Sequence, residues 1–409
     1  MAATSSSTAS PQRSRQAAGR RLPVGRLIAG YLAVICVGIA LLRAPGMLVR
    51  GNELSMTEAI FAAVNAATLT GFEPQTTLAQ YTFAGRCVLL GLIVCGTLVS
   101  LIAGGVLVVR IVRLPFDERR LARRAVAFVG AGTAVGTALL WDGQRTAMDA
   151  LFLAISAIGN CGLACGPQPA VDDWRTHAVI LPLAFAGALG VPVILELIAA
   201  WRRYGEGLST HSRIALAWML GVYVIGTVLM WAIATGSGAS LRDGLISASA
   251  ASLDARTAGF GFESPERWAR AMQWVVMMLM MIGGASGGAA GGIKVTTCAQ
   301  IARGARRLLA GDAPGRAMGI ALIWVGIYVA IVLGGMLILL GLQPQIPADR
   351  LLFEVISATS NAGLSYGPIS MVGPSMYTLC ALMLAGRLLP LAVLLWLART
   401  TRDAEIAVG

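Results

Sequence analysis

Four glycines carry the most distinctive chemistry in this sequence: Gly71, Gly162, Gly259 and Gly363. Each is followed by Phe or Leu, and each closes a short run of small residues. Residues 61–72 read FAAVNAATLTGF, 152–163 FLAISAIGNCGL, 249–260 SAASLDARTAGF and 353–364 FEVISATSNAGL. Three of the four also place a Phe ten residues before the glycine. No nucleophile and base accompany the glycines, so the available chemistry is that of the backbone. A dehydrated cation loses on the order of tens of kcal/mol of hydration in a low-dielectric medium, and rings of carbonyl oxygens can replace that water. Glycine allows the backbone conformations that aim carbonyls inward.

A second unusual stretch comprises Gly283, Gly284, Ala285, Ser286, Gly287, Gly288, Ala289, Ala290, Gly291 and Gly292, followed by Ile293 and Lys294. Each glycine weakens a helix by about 1 kcal/mol, so the stretch reads as a movable break inside a membrane span, a gate beneath the carbonyl ring. Close helix packing through small residues is the plainer alternative. A phosphate loop needs GxxxxGK[ST], whereas Ile293 here separates Gly292 from Lys294 and Val295 follows. Residues 130–136 (GAGTAVG) lack the preceding strand of a dinucleotide site. Arg387 lies midway along the last apolar stretch, where a charge is costly and usually functional. Carbonyls of the glycine-rich break are its natural partners, making it a latch and a positive barrier; a structural ion pair is the alternative. Asp254 is expected to pair with Arg256, with an extra cation site as the other reading.

The elements that must hold these residues follow from composition. Hydrophobic types make up 56% of the 409 residues and charged types 13%, with mean hydropathy +0.74, too few charges to cover a soluble surface. Charge-free or nearly charge-free stretches at 27–42, 214–234, 317–342 and 376–397 approach or exceed the ~20 residues that cross a bilayer as helix. The small-residue runs are too short to cross and must enter and return. Non-helical backbone at membrane depth survives only where protein buries it or where it lines a cavity. The expected fold is an all-α membrane protein of four repeats around a central pore, each a span, a half-helix, a glycine loop and a second span, with eight full crossings. The repeats occupy 23–112, 113–205, 206–312 (with a broken second helix) and 313–409, after a disordered cytoplasmic N-terminus at 1–22. Glu58, Asp149 and Asp243 stand at the starts of three half-helices, where carboxylates favour the positive helix end; surface solvation explains them equally well.

The net charge of +12 comes from 32 basic and 20 acidic residues. The basic residues gather near both ends and at 110–124, 202–213 and 294–316. This is the positive-inside pattern, which places both termini in the cytoplasm and leaves a mildly acidic outer face that favours cations. The seven cysteines form no CxxC pair and suggest neither a disulfide framework nor a zinc site. His177 and His211 fall at opposite faces and no catalytic constellation is visible, so neither an enzyme nor a cofactor is expected. Glu196, the main candidate for an ion-coupling carboxylate in a secondary transporter, lies near Arg202 and Arg203, where a salt bridge is expected.

The repeated plan, together with TLTGF at 68–72, GNCGL at 159–163, RTAGF at 256–260, SNAGL at 360–364 and IGGASGGAAGGIK at 282–294, resembles the Trk/Ktr/HKT superfamily of potassium transporters over roughly residues 25–400. The resemblance implies a potassium filter at Thr68, Leu69, Thr70 and Gly71; Asn160, Cys161 and Gly162; Thr257, Ala258 and Gly259; and Asn361, Ala362 and Gly363, with potassium held at the four glycines. Glycine at all four positions resembles the potassium-selective pattern, whereas serine at the first marks many sodium-conducting members. A sodium-coupled or sodium-conducting transporter is the alternative. The resemblance also implies that residues 283–292, with Lys294 and facing Arg387, form the gate. It further implies a homodimer in the cytoplasmic (inner) membrane with one pore per subunit, and a separate cytoplasmic nucleotide-binding regulatory ring at the Arg-rich inner face.

Overall fold

The computed structural model describes residues 22–49, 54–74, 76–143, 145–202, 207–367 and 371–400. The expected disordered N-terminus lies, apart from residue 22, outside them. Among the described residues the chain is helical, with only two isolated β-bridges, Leu48 to Tyr81 and Ile282 to Ile293.

Long helices alternate with short ones in chain order. Helix α1 (Val24–Leu42) leads to the short α2 (Met56–Ala67) and the long α3 (Phe83–Val112); α4 (Glu118–Leu140) leads to the short α5 (Ala147–Gly159). A π-turn (Thr176–Ile180) opens α6 (Leu181–Leu189), and α7 (Val191–Arg202) departs from it at 103°. Next come α8 (Thr210–Gly236), the short α9 (Leu241–Leu253), α10 (Arg270–Met281) and α11 (Val295–Leu309). The chain closes with α12 (Arg316–Leu342), the short α13 (Ala348–Ser360) and α14 (Pro374–Thr400). By length and composition five of these can cross a membrane, α1, α3, α8, α12 and α14, and six when the bent α6–α7 pair counts as one. Two other expected spans fall short of that measure for physical reasons. Helix α4 opens with Arg119, Arg120, Arg123 and Arg124, and the glycine-rich stretch divides α10 from α11.

The short helices start where the sequence supplies caps. Ser55 accepts from Glu58 N while the Glu58 carboxylate accepts from Ser55 N at 2.9 Å, a reciprocal capping box. Thr146 accepts from Asp149 N and Ser240 from Asp243 N. The three acids thus stand in the first helical turn, beside the hydroxyl caps and the positive helix end. The flanks of these helices are apolar and buried, with Phe61, Phe152 and Phe353 each at most 1% exposed. Helix α2 packs on α3 and α14, α5 on α3 and α4, α9 on α8, and α13 on α12 and α14. The long helices α1, α8 and α12 present Val37, Val228 and Leu337 outward, as a lipid-facing surface does. The short helices are therefore sheathed by the long ones, and their C-terminal ends lie inside the molecule.

Candidate functional site

Each short helix ends by closing a wide turn, with an N–H five residues on bonded to a carbonyl of the last helical turns. The bonds are Thr70 N to Asn65 O (3.1 Å), Cys161 N to Ser156 O (2.9 Å), Gly259 N to Asp254 O (3.2 Å) and Ala362 N to Ser357 O (2.9 Å). In three turns the residue two before the glycine is left-handed: Leu69 (φ 58°), Asn160 (φ 55°) and Asn361 (φ 51°). Asparagine tolerates that region, whereas β-branched residues resist it. The third turn has Thr257 at the corresponding place and uses a π-turn over Asp254–Ala258 instead. Its closing N–H consequently belongs to the glycine itself, one residue later than in the other three. All four glycines have positive φ, from 73° to 87°. The residues that follow them, Phe72, Leu163, Phe260 and Leu364, are buried anchors. Phe61 stacks on Phe72 at 6.3 Å, which accounts for the aromatic ten residues ahead of the first glycine.

The backbones of the four turns meet in cyclic order, and a side-chain bond from Asn361 Nδ2 to Thr70 Oγ1 (3.0 Å) also joins the fourth turn to the first. A methyl group on Gly71 would overlap the Cys161 carbonyl, on Gly162 the Gly259 carbonyl, on Gly259 the Ala362 carbonyl, and on Gly363 the Thr70 carbonyl. The residues named from sequence are thus brought together: Thr70 with Gly71, Cys161 with Gly162, Gly259, and Ala362 with Gly363. Thr68, Leu69, Asn160, Ala258 and Asn361 are buried behind or beside them, and Thr257 lies within the π-turn. On one side the four glycines floor a cavity of about 320 Å³ that Glu73, Gln168 and Glu263 also line. No group of three or more His, Cys, Asp or Glu side chains among the described residues is placed to bind a metal.

The glycine-rich stretch is an ordered loop packed on a broken helix. Gly190 (φ 80°, ψ 159°) divides α6 from α7, and the break leaves α6 carbonyls without helical donors. Ala285 N donates to Ala188 O and Ala289 N to Gly187 O, both at 3.0 Å. The two ends of the loop are tied by Gly283 N to Ile293 O (2.9 Å) and Val295 N to Gly284 O (3.1 Å), and Ser286 shares a hydrogen bond with Thr296 at 2.8 Å. Lys294 Nζ donates to Ala290 O at 2.5 Å. A methyl group on Gly291 would overlap the Ser360 carbonyl at the end of α13, and Gly104 of α3 closes on Gly287. Gly284, Gly287, Gly288 and Gly292 likewise have backbone or alanine neighbours where a side chain would stand.

Arg387, 6% exposed, joins this loop to the first turn. Its Nη1 donates to Ala289 O and reaches Ser100 Oγ at 3.4 Å, while Nε (2.8 Å) and Nη2 (2.5 Å) donate to Thr68 O. The loop carbonyl was foreseen as its partner; Thr68 was not. These partners are carbonyls and a hydroxyl, not a carboxylate.

The expected Asp254–Arg256 pair does not form. Positions i and i+2 leave a helix on different sides. The Asp254 carboxylate accepts from Phe260 N and Gly261 N, while Arg256 donates to Met219 O (2.8 Å), Ile282 O (3.3 Å) and Gly283 O (2.7 Å). Arg256 is therefore a second guanidinium on the glycine-rich loop that sequence reasoning missed. The signal was present: an arginine inside a small-residue half-helix needs carbonyl partners as much as Arg387 does. Asn65 was also missed, a lone amide on an otherwise apolar half-helix. Glu196 accepts from Ser209 N at 2.9 Å and forms no ion pair with Arg202, while Arg203, the other expected partner, lies outside the described residues.

The family model for the TrkH cation transport protein matches residues 222–404. Ktr system potassium uptake protein B of Vibrio alginolyticus is 29% identical over 91% of this chain and 90% of its own length. Its namesake in Bacillus subtilis is 26% identical over 95% and 97%. The potassium/sodium uptake protein NtpJ of Enterococcus hirae is 23% identical over 90% and 91%. Among solved structures, the potassium transporter TrkH from Vibrio parahaemolyticus superposes with a TM-score of 0.70 at 20% identity, covering 91% of this chain and 85% of that one. That likeness carries the fold.

Proposed function

We propose that this chain is a member of the Trk/Ktr/HKT superfamily and the pore-forming subunit of a potassium uptake system, a reading supported by the match to the TrkH cation transport family model and the likeness to two Ktr system potassium uptake proteins B. The observation that carries this reading is the cyclic contact of the four glycine turns through their carbonyls. Helix C-termini carry about −0.5 charge each, and four of them converge behind the turns. Together they supply a focus of negative potential at the turns. The membrane potential provides the driving force, about 2.3 kcal/mol per charge per 100 mV. The residues at 68–71, 160–162, 257–259 and 361–363 act as the filter, and 283–292 with Lys294 and Arg387 act as the gate.

The finer architecture belongs to the same proposal. It consists of four repeats with eight crossings, α4 and the α10–α11 pair completing the count, in the inner membrane with both termini cytoplasmic. The chain works as a homodimer with a cytoplasmic nucleotide-binding ring on its Arg-rich inner face, and it is neither an enzyme nor dependent on a cofactor. The naming of two relatives as protein B of a Ktr system supports a separate regulatory subunit. Sodium conduction is the second reading, favoured by the likeness to a potassium/sodium uptake protein. Purified protein in liposomes, loaded with potassium and challenged with each cation in turn, separates the two. Potassium flux exceeding sodium flux is expected, and intact potassium gradients would overturn the proposal.

A further inference from the structure

We propose that Asn65 and Asp254 are positioning residues that set cation discrimination, each bracing the outer half of one glycine turn from behind by a mechanism the other two turns lack. The inference rests on the potassium-conduit reading.

The two braces share one register. Asn65 accepts Thr70 N with its backbone carbonyl, and its Oδ1 accepts both Gly71 N (2.9 Å) and Phe72 N (3.0 Å); its Nδ2 returns a bond to Phe72 O at 2.8 Å. Asp254 accepts Gly259 N with its backbone carbonyl, then Phe260 N with Oδ1 (2.7 Å) and Gly261 N with Oδ2 (2.8 Å). In both cases the residue n serves the N–H groups of n+5, n+6 and n+7. The corresponding residues of the second and fourth turns are Ser156 and Ser357, whose carbonyls make the n+5 bond while their hydroxyls take none of the n+6 and n+7 N–H groups; those turns are held instead by Asn160 Nδ2 donating to Ala184 O and Asn361 Nδ2 donating to Met383 O and Thr70 Oγ1.

A carbonyl that faces an ion is held by the peptide plane on either side of it, and those planes are fixed by their N–H bonds. Where the amides bond to one buried side chain, the carbonyl ring resists closing around a smaller ion. Asn65 is 1% and Asp254 3% exposed, so neither bond competes with water. The two braces are not interchangeable. Asp254 uses both oxygens as acceptors, as an anion does, and those bonds are charge-assisted. Asparagine there would turn a donor toward one N–H. The third turn is the one built on a π-turn, so its brace also fixes a register one residue out of step with its neighbours.

The test is the potassium-to-sodium flux ratio of full-length protein in liposomes, for wild type, Asp254→Asn, Asn65→Ser and, as a lost-charge control, the half-exposed Glu266→Gln. Serine is native at the matching place in two turns, so Asn65→Ser is compatible with folding, which size-exclusion elution verifies. Both brace variants are expected to keep potassium flux while the ratio falls about tenfold, the effect of roughly one buried hydrogen bond, with the control unchanged. Wild-type discrimination in a conducting Asn65→Ser or Asp254→Asn protein overturns the inference. So does an equal fall in Glu266→Gln, which would assign the effect to charge at the mouth. Absence of potassium flux in wild type overturns the conduit reading itself and is told apart by that.

Discussion

Arg387 holds the carbonyl of Thr68 with two nitrogens, Nε at 2.8 Å and Nη2 at 2.5 Å, across 319 residues of sequence. The same guanidinium donates to Ala289 O of the glycine-rich loop. One side chain therefore fastens the inner edge of the first turn and the loop beneath it. Movement of the loop and the geometry of the turn share a hydrogen-bond donor.

Arg387→Ala should raise basal potassium leak in liposomes, because it removes both the latch and the positive charge. It also leaves two buried carbonyls unpaired, at about 1–3 kcal/mol each, so a lower thermal midpoint in detergent should accompany the leak. Arg387→Lys keeps the charge but not the fork that spans Thr68 and Ala289. Its leak should fall between the two, and leak equal to wild type in Arg387→Ala would remove the latch role.

Arg256→Met should loosen the loop from its other end. The guanidinium ties Gly283 and Ile282 to Met219 of α8, and methionine fills the space without donating. The expected outcome is faster deuterium exchange at residues 283–293 with little change in α9. Exchange unchanged across the loop would show that its other hydrogen bonds hold it without Arg256.

Gly363→Ala should abolish transport, since its methyl group would overlap the Thr70 carbonyl and the backbone there has φ 78°. Gly341→Ala is the matched control: nothing lies within 4 Å of its added carbon, so flux should persist.

Gly190→Ala should destabilise the fold by about 1–3 kcal/mol, the cost of a non-glycine residue in a glycine-only region of backbone space, and more if Gly287 cannot yield. Thermal unfolding followed by tryptophan fluorescence measures it. A midpoint equal to wild type would show that the α6–α7 break does not need this conformation.

Much of this protein was written in local sequence. The half-helix starts marked by Glu58, Asp149 and Asp243, the recurring Phe, the four glycines and the need of Arg387 for carbonyls all follow from short spacings and from the cost of charge in an apolar chain. The Asp254–Arg256 pair was misread because proximity in sequence stood in for direction in space, and a π-turn sends the two side chains to different partners. Gly190 gave no sign that it breaks a helix to receive the glycine-rich loop, since its neighbours are apolar and helix-compatible.

By itself the sequence determined which backbone could turn and which residues could not face lipid, because conformational freedom and burial cost are properties of single residues and short runs. Only the tertiary structure decided that the four turns touch in cyclic order, that Thr68 and Ala289 share one guanidinium, and that Asn65 and Asp254 hold successive amides of their turns while Asn160 and Asn361 hold theirs by donating to carbonyls of neighbouring helices. Those outcomes depend on where helices some ninety residues apart come to rest. Packing sets that, and no local pattern encodes it.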